Sequence, residues 1–354
     1  MRRRATWRPA CRRRRGAWRL ALESGKDEGA HPARLRALVW APLEKHLAGA
    51  EVVLLSPDAE LARLPWAALP GAKEGTRLAE ERLLAVQPVP GLLAARKAAT
   101  GAGSLLSVGA VDFGTKAWEP LPATTPEAEA VASMFAGDKE SLSGKEATRA
   151  AVRRALSRAR VAHLATHGYF APLRMASALA RPDGEAGSLF ERQGVSGWHP
   201  GLLSGLVLAG GEVASALELA DLDLSGMELA VLSACQTALG KEEAGEGVPG
   251  LQRAFSVAGC KSVVSSLWSV HDAATAVLME RFYHHLWKGR KSKAEALRLA
   301  QLDVLTHPEW VEKRVDKLGT RSRGAGMKAV KLPGGARRSP PAWWAAWQVS
   351  GDWR

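Results

Sequence analysis

Five short runs of this chain are built from apolar and small residues without strict alternation of apolar and polar positions: Leu105 to Val111, Val161 to Thr166, Leu206 to Leu208, Leu229 to Ala234 and Ser262 to Leu267. A strand with one wet face alternates apolar and polar residues, so a run without that alternation must be covered on both faces. Segments of helical character separate these runs. Thr125-Pro126-Glu127 reads as the N-cap, N1 proline and first-turn acid of a helix ending at Phe135. Thr148 opens a second helix, with Val152, Ala155, Leu156 and Ala159 on one face, and a third starts at Pro249 and stops at Gly259. Strands alternating with helices in this way predict an α/β fold, a mostly parallel sheet with helices on both faces.

The flanks are less regular. Ala33 to Leu47 has helical spacing interrupted at Pro42, and Val52 to Leu55, Leu64 to Leu69 and Leu83 to Val86 read as strands. Helices are expected from about Asp272 and Ser292. A basic, Gly/Pro-rich insertion at 319–341 and a last strand at Ala345 to Val349 follow. These signals divide the chain into a basic tail, 1–32, and one domain, 33–354, with an N-terminal part at 33–100 and a larger part at 101–354.

The formal charge of +13 suggests a nucleic-acid binder until it is located. Residues 1–19 hold nine Arg and no acid, and residues 310–354 hold ten Lys/Arg against three acids, which leaves −3 for residues 20–309. The basicity belongs to the ends, where it reads as solvated tail; a tether to nucleic acid or to an anionic membrane through the Arg-rich N-terminus is the weaker alternative. Residues 1–20 are expected to be disordered and dispensable, because so few apolar residues cannot offset the entropy of ordering them. No stretch reaches the roughly 18 apolar residues of a membrane span, and the Arg-rich start lacks a signal-peptide apolar core, so the expected location is the cytoplasm. Three cysteines, Cys11, Cys235 and Cys260, make no disulfide framework and show no zinc-ligand spacing. No metal or cofactor is expected.

In an open parallel sheet, ligands bind beyond the carboxyl ends of the strands. Two strands deliver reactive residues there: VAHLAT runs into His167-Gly168, and LAVLSA runs into Cys235. A cysteine and an imidazole form a nucleophile and its proton partner, and the backbone N–H groups of Gly168 and Cys235 are candidates for an oxyanion hole. Singly, each residue reads as a packed core side chain; jointly, they read as a thiol hydrolase. A papain-type site puts Cys before His and needs an Asn, and this chain contains no Asn. Neither a GxSxG elbow nor a Walker A pattern is present. His163 is expected to face the other side or the core, and Cys260 to be packed.

HLATHGYF around His167, LAVLSACQTALG around Cys235 and GEGVPGLQRAFSVAGCKSVVSSLWSVHDAATAVLMERFYHHL after it strongly resemble the CHAT domain, a bacterial branch of the caspase-like cysteine peptidases related to separase. SPDAELARLPWAALP, LPATTPEAEAVASMF and SPPAWWAAWQVSGDW resemble the family's other blocks, so the likeness runs from about Ala33 to the C-terminus. It implies a caspase-like three-layer α/β sandwich, with His167 as general acid/base and Cys235 as nucleophile in the hydrolysis of a protein or peptide substrate. Members of the family often carry tetratricopeptide repeats ahead of this domain, and none is found here, which implies either a regulatory or repeat-bearing partner or a truncated chain. The Trp-rich ending, Trp343, Trp344 and Trp347, departs from the family's Tyr or Phe and bears on docking surfaces. Asp272 reads locally as a helix N-cap, whereas the likeness to separase makes it the acceptor for a basic residue before the scissile bond. The alternative to an active endopeptidase is a catalytically silent interaction module with the same fold.

Overall fold

A computed structural model of the chain describes residues 16–22, 28–88, 103–170, 204–233, 235–236, 247–268, 270–318 and 337–354, with residues 235 and 236 described by their backbone. The strands are β1 (Val52–Leu55), β2 (Leu83–Val86), β3 (Ser104–Val111), β4 (Asp138–Gly144), β5 (Val161–Leu164), β6 (His167–Phe170), β7 (Ser204–Val207), β8 (Val213–Ser215), β9 (Leu229–Leu232), β10 (Cys235–Gln236), β11 (Ser262–Ser266) and β12 (Trp347–Gly351). The main helices are α1 (His31–Val39), α2 (Thr124–Met134), α3 (Arg149–Leu156), α4 (Ala216–Ala220), α5 (Gly247–Val257), α6 (Asp272–Tyr283), α7 (Lys293–Thr306) and α8 (Pro308–Leu318).

Eight strands form one sheet in the order β1-β2-β12-β11-β9-β5-β3-β4, and β10-β6-β7-β8 form a second. Every neighbouring pair of the large sheet is parallel except β11 with β12. Successive residues of its central strands enter different cores. Leu105, Leu229, Val231 and Val264 pack in a layer with α1, α2, α6, α7 and α8, while Leu106, Ala230, Leu232 and Val263 pack in a layer with α3, α4 and α5. This is why the strands do not alternate: each residue of a sheet covered on both sides meets a dry layer. The expected α/β sandwich with a mostly parallel sheet is the observed one.

The helix starts follow local chemistry. Thr148 accepts from Ala151 N–H at the head of α3, and Ser292 caps α7 with Glu295 reaching back to close a capping box. At α2 the structure differs from expectation, since the helix begins at Thr124 rather than after Thr125. Thr124 Oγ1 instead donates to Leu121 O and accepts from Ala110 N–H, tying the helix to β3. Gly109 permits this approach, because a Cβ there would lie 2.8 Å from both Ala128 Cβ and Thr124 O. Gly109→Ala is expected to destabilise the protein by about 1–3 kcal/mol, read from the denaturant midpoint, through the overpacking it forces.

Three further expectations are corrected, and one strand is added. Residues 64–69 are not a strand: Pro65 fixes its own φ and lacks an N–H, and Trp66–Ala68 form a 3-10 turn. The tail is not disordered throughout, because residues 16–22 are helical, with Trp18 and Leu22 buried in the same core that holds Leu35 and Val39, and α1 begins at His31. Residues 1–15 lie outside the described residues, as do residues 319–336 of the expected insertion 319–341; of its described end, Ser339 and Pro341 are buried and Pro341 opens a helical turn. The tryptophans of the C-terminal block face the core and no docking surface, Trp343, Trp344 and Trp347 all being buried. Finally, the sheet gains β4, a polar strand that hydrophobic patterning passes over because it is an exposed edge.

Candidate active site

Both predicted site residues sit just past the point where the chain leaves the large sheet. β5 stops at Leu164, and after Ala165-Thr166 the chain re-enters pairing at His167 as β6. β9 stops at Leu232, and Cys235 opens β10 in the same second sheet. β5 and β9 are parallel neighbours, and so are β6 and β10, with Cys235 in register with His167 and Gln236 with Gly168. The sequence reading extended both strands to residues 166 and 234; the structure instead ends them at Leu164 and Leu232 and resumes pairing one step on, in the second sheet, at His167 and Cys235. The steps match, so the two residues still arrive side by side, where a nucleophile and its proton partner must meet.

The His167 ring is buried, at 3% relative exposure. Its Nε2 lies 2.7 Å from Glu119 O. A carbonyl oxygen only accepts, so Nε2 carries the proton and Nδ1 is the basic nitrogen. Phe113 and Trp118 pack on the same ring, with centroids at 4.8 and 5.4 Å. Burial lowers the His167 pKa below its ordinary 6.5, against the opposing effects of the Glu119 contact and the charges of Glu119 and Asp272. The imidazole is therefore neutral near pH 7, the state a base requires.

Phe113, Trp118 and Glu119 were missed at the sequence level. They belong to the segment that joins β3 to α2. In the sheet β3 lies between β4 and β5, so the chain leaves β3 toward one side and returns on the other. That reversal is a topological switch point, where a crevice opens at the strand ends. The aromatic pair in DFGTKAWEP was visible, but nothing local in the sequence says that β3 pairs with β5.

Asp272 opens α6, but it is not the cap. His271 is the N-cap, its Nδ1 accepting from Ala273 N–H at 3.2 Å. That bond needs an unprotonated Nδ1, and burial, opposed by the Asp272 charge, holds the His271 pKa below 6.5. Asp272 is thus a first-turn acid whose charge reaches His167. Gly168 is buried and lies between Gln236 of β10 and Leu206 of β7. Cys260 is fully buried, and its Sγ donates to Ser262 O at 3.2 Å, as expected of a packed thiol. His163 also lies in the core. Among the described residues no group of three His, Cys, Asp or Glu is arranged to hold a metal, and no helix is long and apolar enough to cross a membrane.

Comparison with known proteins adds the family. The CHAT domain model matches residues 32–352. Tetratricopeptide repeat protein 28 of Mus musculus is 28% identical over 211 residues, 54% of this chain and 8% of the relative. The protein of the same name from Homo sapiens is 29% identical over 293 residues, 72% of this chain and 11% of the relative. The chain thus aligns with about a tenth of the length of the curated relatives it matches, and those are not bacterial. Among solved structures it is similar to the Arg-specific cysteine proteinase gingipain R, with a TM-score of 0.48, 10% identity, and coverage of 96% of this chain and 74% of that one. It is also similar to the Saccharomyces cerevisiae separase–securin complex, with a TM-score of 0.43, 13% identity, and coverage of 70% and 14%.

Proposed function

The chain belongs to the CHAT domain family, and from that premise we propose that it is a cysteine endopeptidase acting through His167 and Cys235. The observation that carries this reading is the register of β6 with β10, which sets Cys235 beside a buried imidazole whose Nε2–H is engaged by Glu119 O. In the proposed reaction His167 Nδ1 takes the Cys235 thiol proton and the sulfur attacks the scissile carbonyl carbon. The N–H groups of Cys235 and Gly168 receive the oxyanion, each donor contributing about 2.7–4 kcal/mol. Because Gly168 has strand neighbours on both sides, that role requires the substrate carbonyl to take the place of a ladder partner. Collapse expels the amine, which leaves with the proton from His167. Water then attacks the thioester, giving its proton to His167 and releasing the acid.

Asp272 is proposed as the acceptor for a basic residue before the scissile bond. A first-turn carboxylate within electrostatic reach of His167 supports this, since it rewards Arg or Lys and leaves neutral side chains unpaired. Asp272→Asn should flatten the preference for basic residues with only a small drop in melting temperature, because His271 caps the helix and the substitution removes just the first-turn charge. An undiminished basic preference would assign Asp272 to the helix alone.

The test of the reading itself is a peptide library incubated with the wild type and with Cys235→Ala. Sequence-dependent cleavage that vanishes in the variant supports a peptidase; equal cleavage by both, or by neither, removes it. The second reading, a silent interaction module, draws on the curated relatives, which are named for tetratricopeptide repeats rather than for a peptidase. On either reading a repeat-bearing protein is the proposed regulatory partner, and the cytoplasm, which keeps a thiol reduced, is the proposed location.

A further inference from the structure

Beneath the paired strand ends lies a polar cluster within an otherwise apolar layer. Glu127, His163, Ser233 and Tyr283 are all buried, at 4%, 0%, 5% and 0% relative exposure. Ser233 Oγ donates to Glu127 Oε1 at 2.6 Å, His163 Nε2 lies 3.2 Å from the same oxygen, and His163 Nδ1 lies 3.1 Å from Tyr283 Oη. The contact between Nε2 and the carboxylate is close but poorly aligned for a hydrogen bond. Burial, then the Glu127 charge, raises the Tyr283 pKa, so its phenol keeps its proton. One assignment fits every contact: Tyr283 donates to His163 Nδ1, while His163 Nε2–H and Ser233 both turn toward the Glu127 carboxylate.

Each member belongs to a different part of the catalytic apparatus. Glu127 is on α2, directly after the segment that gives its Glu119 carbonyl to His167. His163 is on β5, four residues before His167. Ser233 stands in the step between β9 and β10, two residues before Cys235, and Tyr283 ends the helix that Asp272 begins. The steps are where strand pairing lapses, so other bonds have to fix the chain there. At the first step Ala165 N–H donates to Val108 O and Thr166 Oγ1 to Val207 O. At the second, Ser233 is held by Glu127.

We propose that Glu127 is a positioning residue, its buried carboxylate holding Ser233 and thereby keeping the Cys235 segment in register with His167. An apolar side chain would fill this volume without the desolvation cost of a carboxylate, so the charged group has a use that packing alone does not supply. The proposal rests on the reading of Cys235 and His167 as a dyad, but one readout does not require turnover: the rate at which iodoacetamide alkylates Cys235 as a function of pH, followed by mass spectrometry of the Cys235 peptide.

The experiment compares the full-length wild type with Glu127→Gln, Ser233→Ala, the double variant and His167→Ala, recording alkylation profile, kcat, KM and melting temperature. Glu127→Gln and Ser233→Ala are expected to lower kcat by about 10- to 100-fold through misplacement of the sulfur, with KM changed less than about threefold, and to displace the alkylation profile. The double variant should lose no more than the worse single one, because both remove the same link. If Glu127→Gln fails to fold, Ser233→Ala alone carries the test. If both variants melt lower but keep the wild-type kcat and alkylation profile, the cluster only stabilises the core and the proposal is overturned. A profile unchanged by His167→Ala would defeat the dyad reading separately, and the Ser233 and Glu127 profiles would still decide whether the Cys235 segment is held by this carboxylate.

Discussion

Replacing His167 with alanine is expected to lower peptide turnover by about 10²- to 10⁴-fold, the range that a positioned general base contributes, and also to lower the thermal midpoint, because the ring it removes is buried against Phe113 and Trp118. In the wild type the rate should fall on acidification along a limb whose midpoint lies below pH 6.5. The sign follows from burial: removal from water disfavours the imidazolium, so the base stays neutral to lower pH than a free histidine does. Below pH 6.5 the unfolded chain also binds more protons at this position than the folded one, so acidification costs stability as well as rate. Leu is a useful second substitution, because it preserves the apolar contacts with Phe113 and Trp118 while removing both nitrogens. A limb centred above pH 6.5, or turnover that survives both substitutions, would deny His167 the role of base.

The second large effect concerns stability. Trp18→Ala is expected to cost about 3–5 kcal/mol, as for other fully buried tryptophans, and to lower the denaturant midpoint accordingly. Trp18 has no exposed surface. Its Nε1–H donates to Glu28 Oε2 at 2.6 Å, Glu28 Oε1 pairs with Arg77 at 2.9 Å, and Arg77 in turn donates to Ala68 O. Truncation therefore leaves a cavity in the core that also holds Leu35 and Trp40 and removes a bond that ties residues 16–22 to Glu28. A chain begun at Gly29 that melts with the full-length protein would show this helix to be an ornament.

The sequence signals that survived are those in which one residue type admits one local solution. Runs without alternation required a doubly covered sheet, Thr148 and Ser292 capped the helices they preceded, and Pro42 fell where α1 gives way to a separate turn. Cys235 and His167 stood out in the sequence because each follows an apolar run, and the structure brings the two into register. What stayed hidden depends on pairing between distant segments. The steps at 165–166 and 233–234 look like strand, since alanine, serine and threonine give no signal of a change of sheet. Glu127 looked like an ordinary first-turn acid because its partners are 36, 106 and 156 residues away in sequence at His163, Ser233 and Tyr283. Trp18 was lost among arginines whose composition pointed to solvent.

One feature of the large sheet bears on how the molecule can be cut. β2 pairs with β12 on the side away from β11, and β1 pairs with β2, so residues 52–86 close what would otherwise be a bare margin. A fragment begun at residue 101 keeps both His167 and Cys235 and loses this cover. β12, WQVSG, would then be an edge strand with unpaired N–H and C=O groups beside the newly exposed Trp347 and Val349. Such an edge templates pairing with another copy, so the fragment would self-associate through β12 and precipitate with increasing concentration. The minimal soluble unit has to begin upstream of Val52.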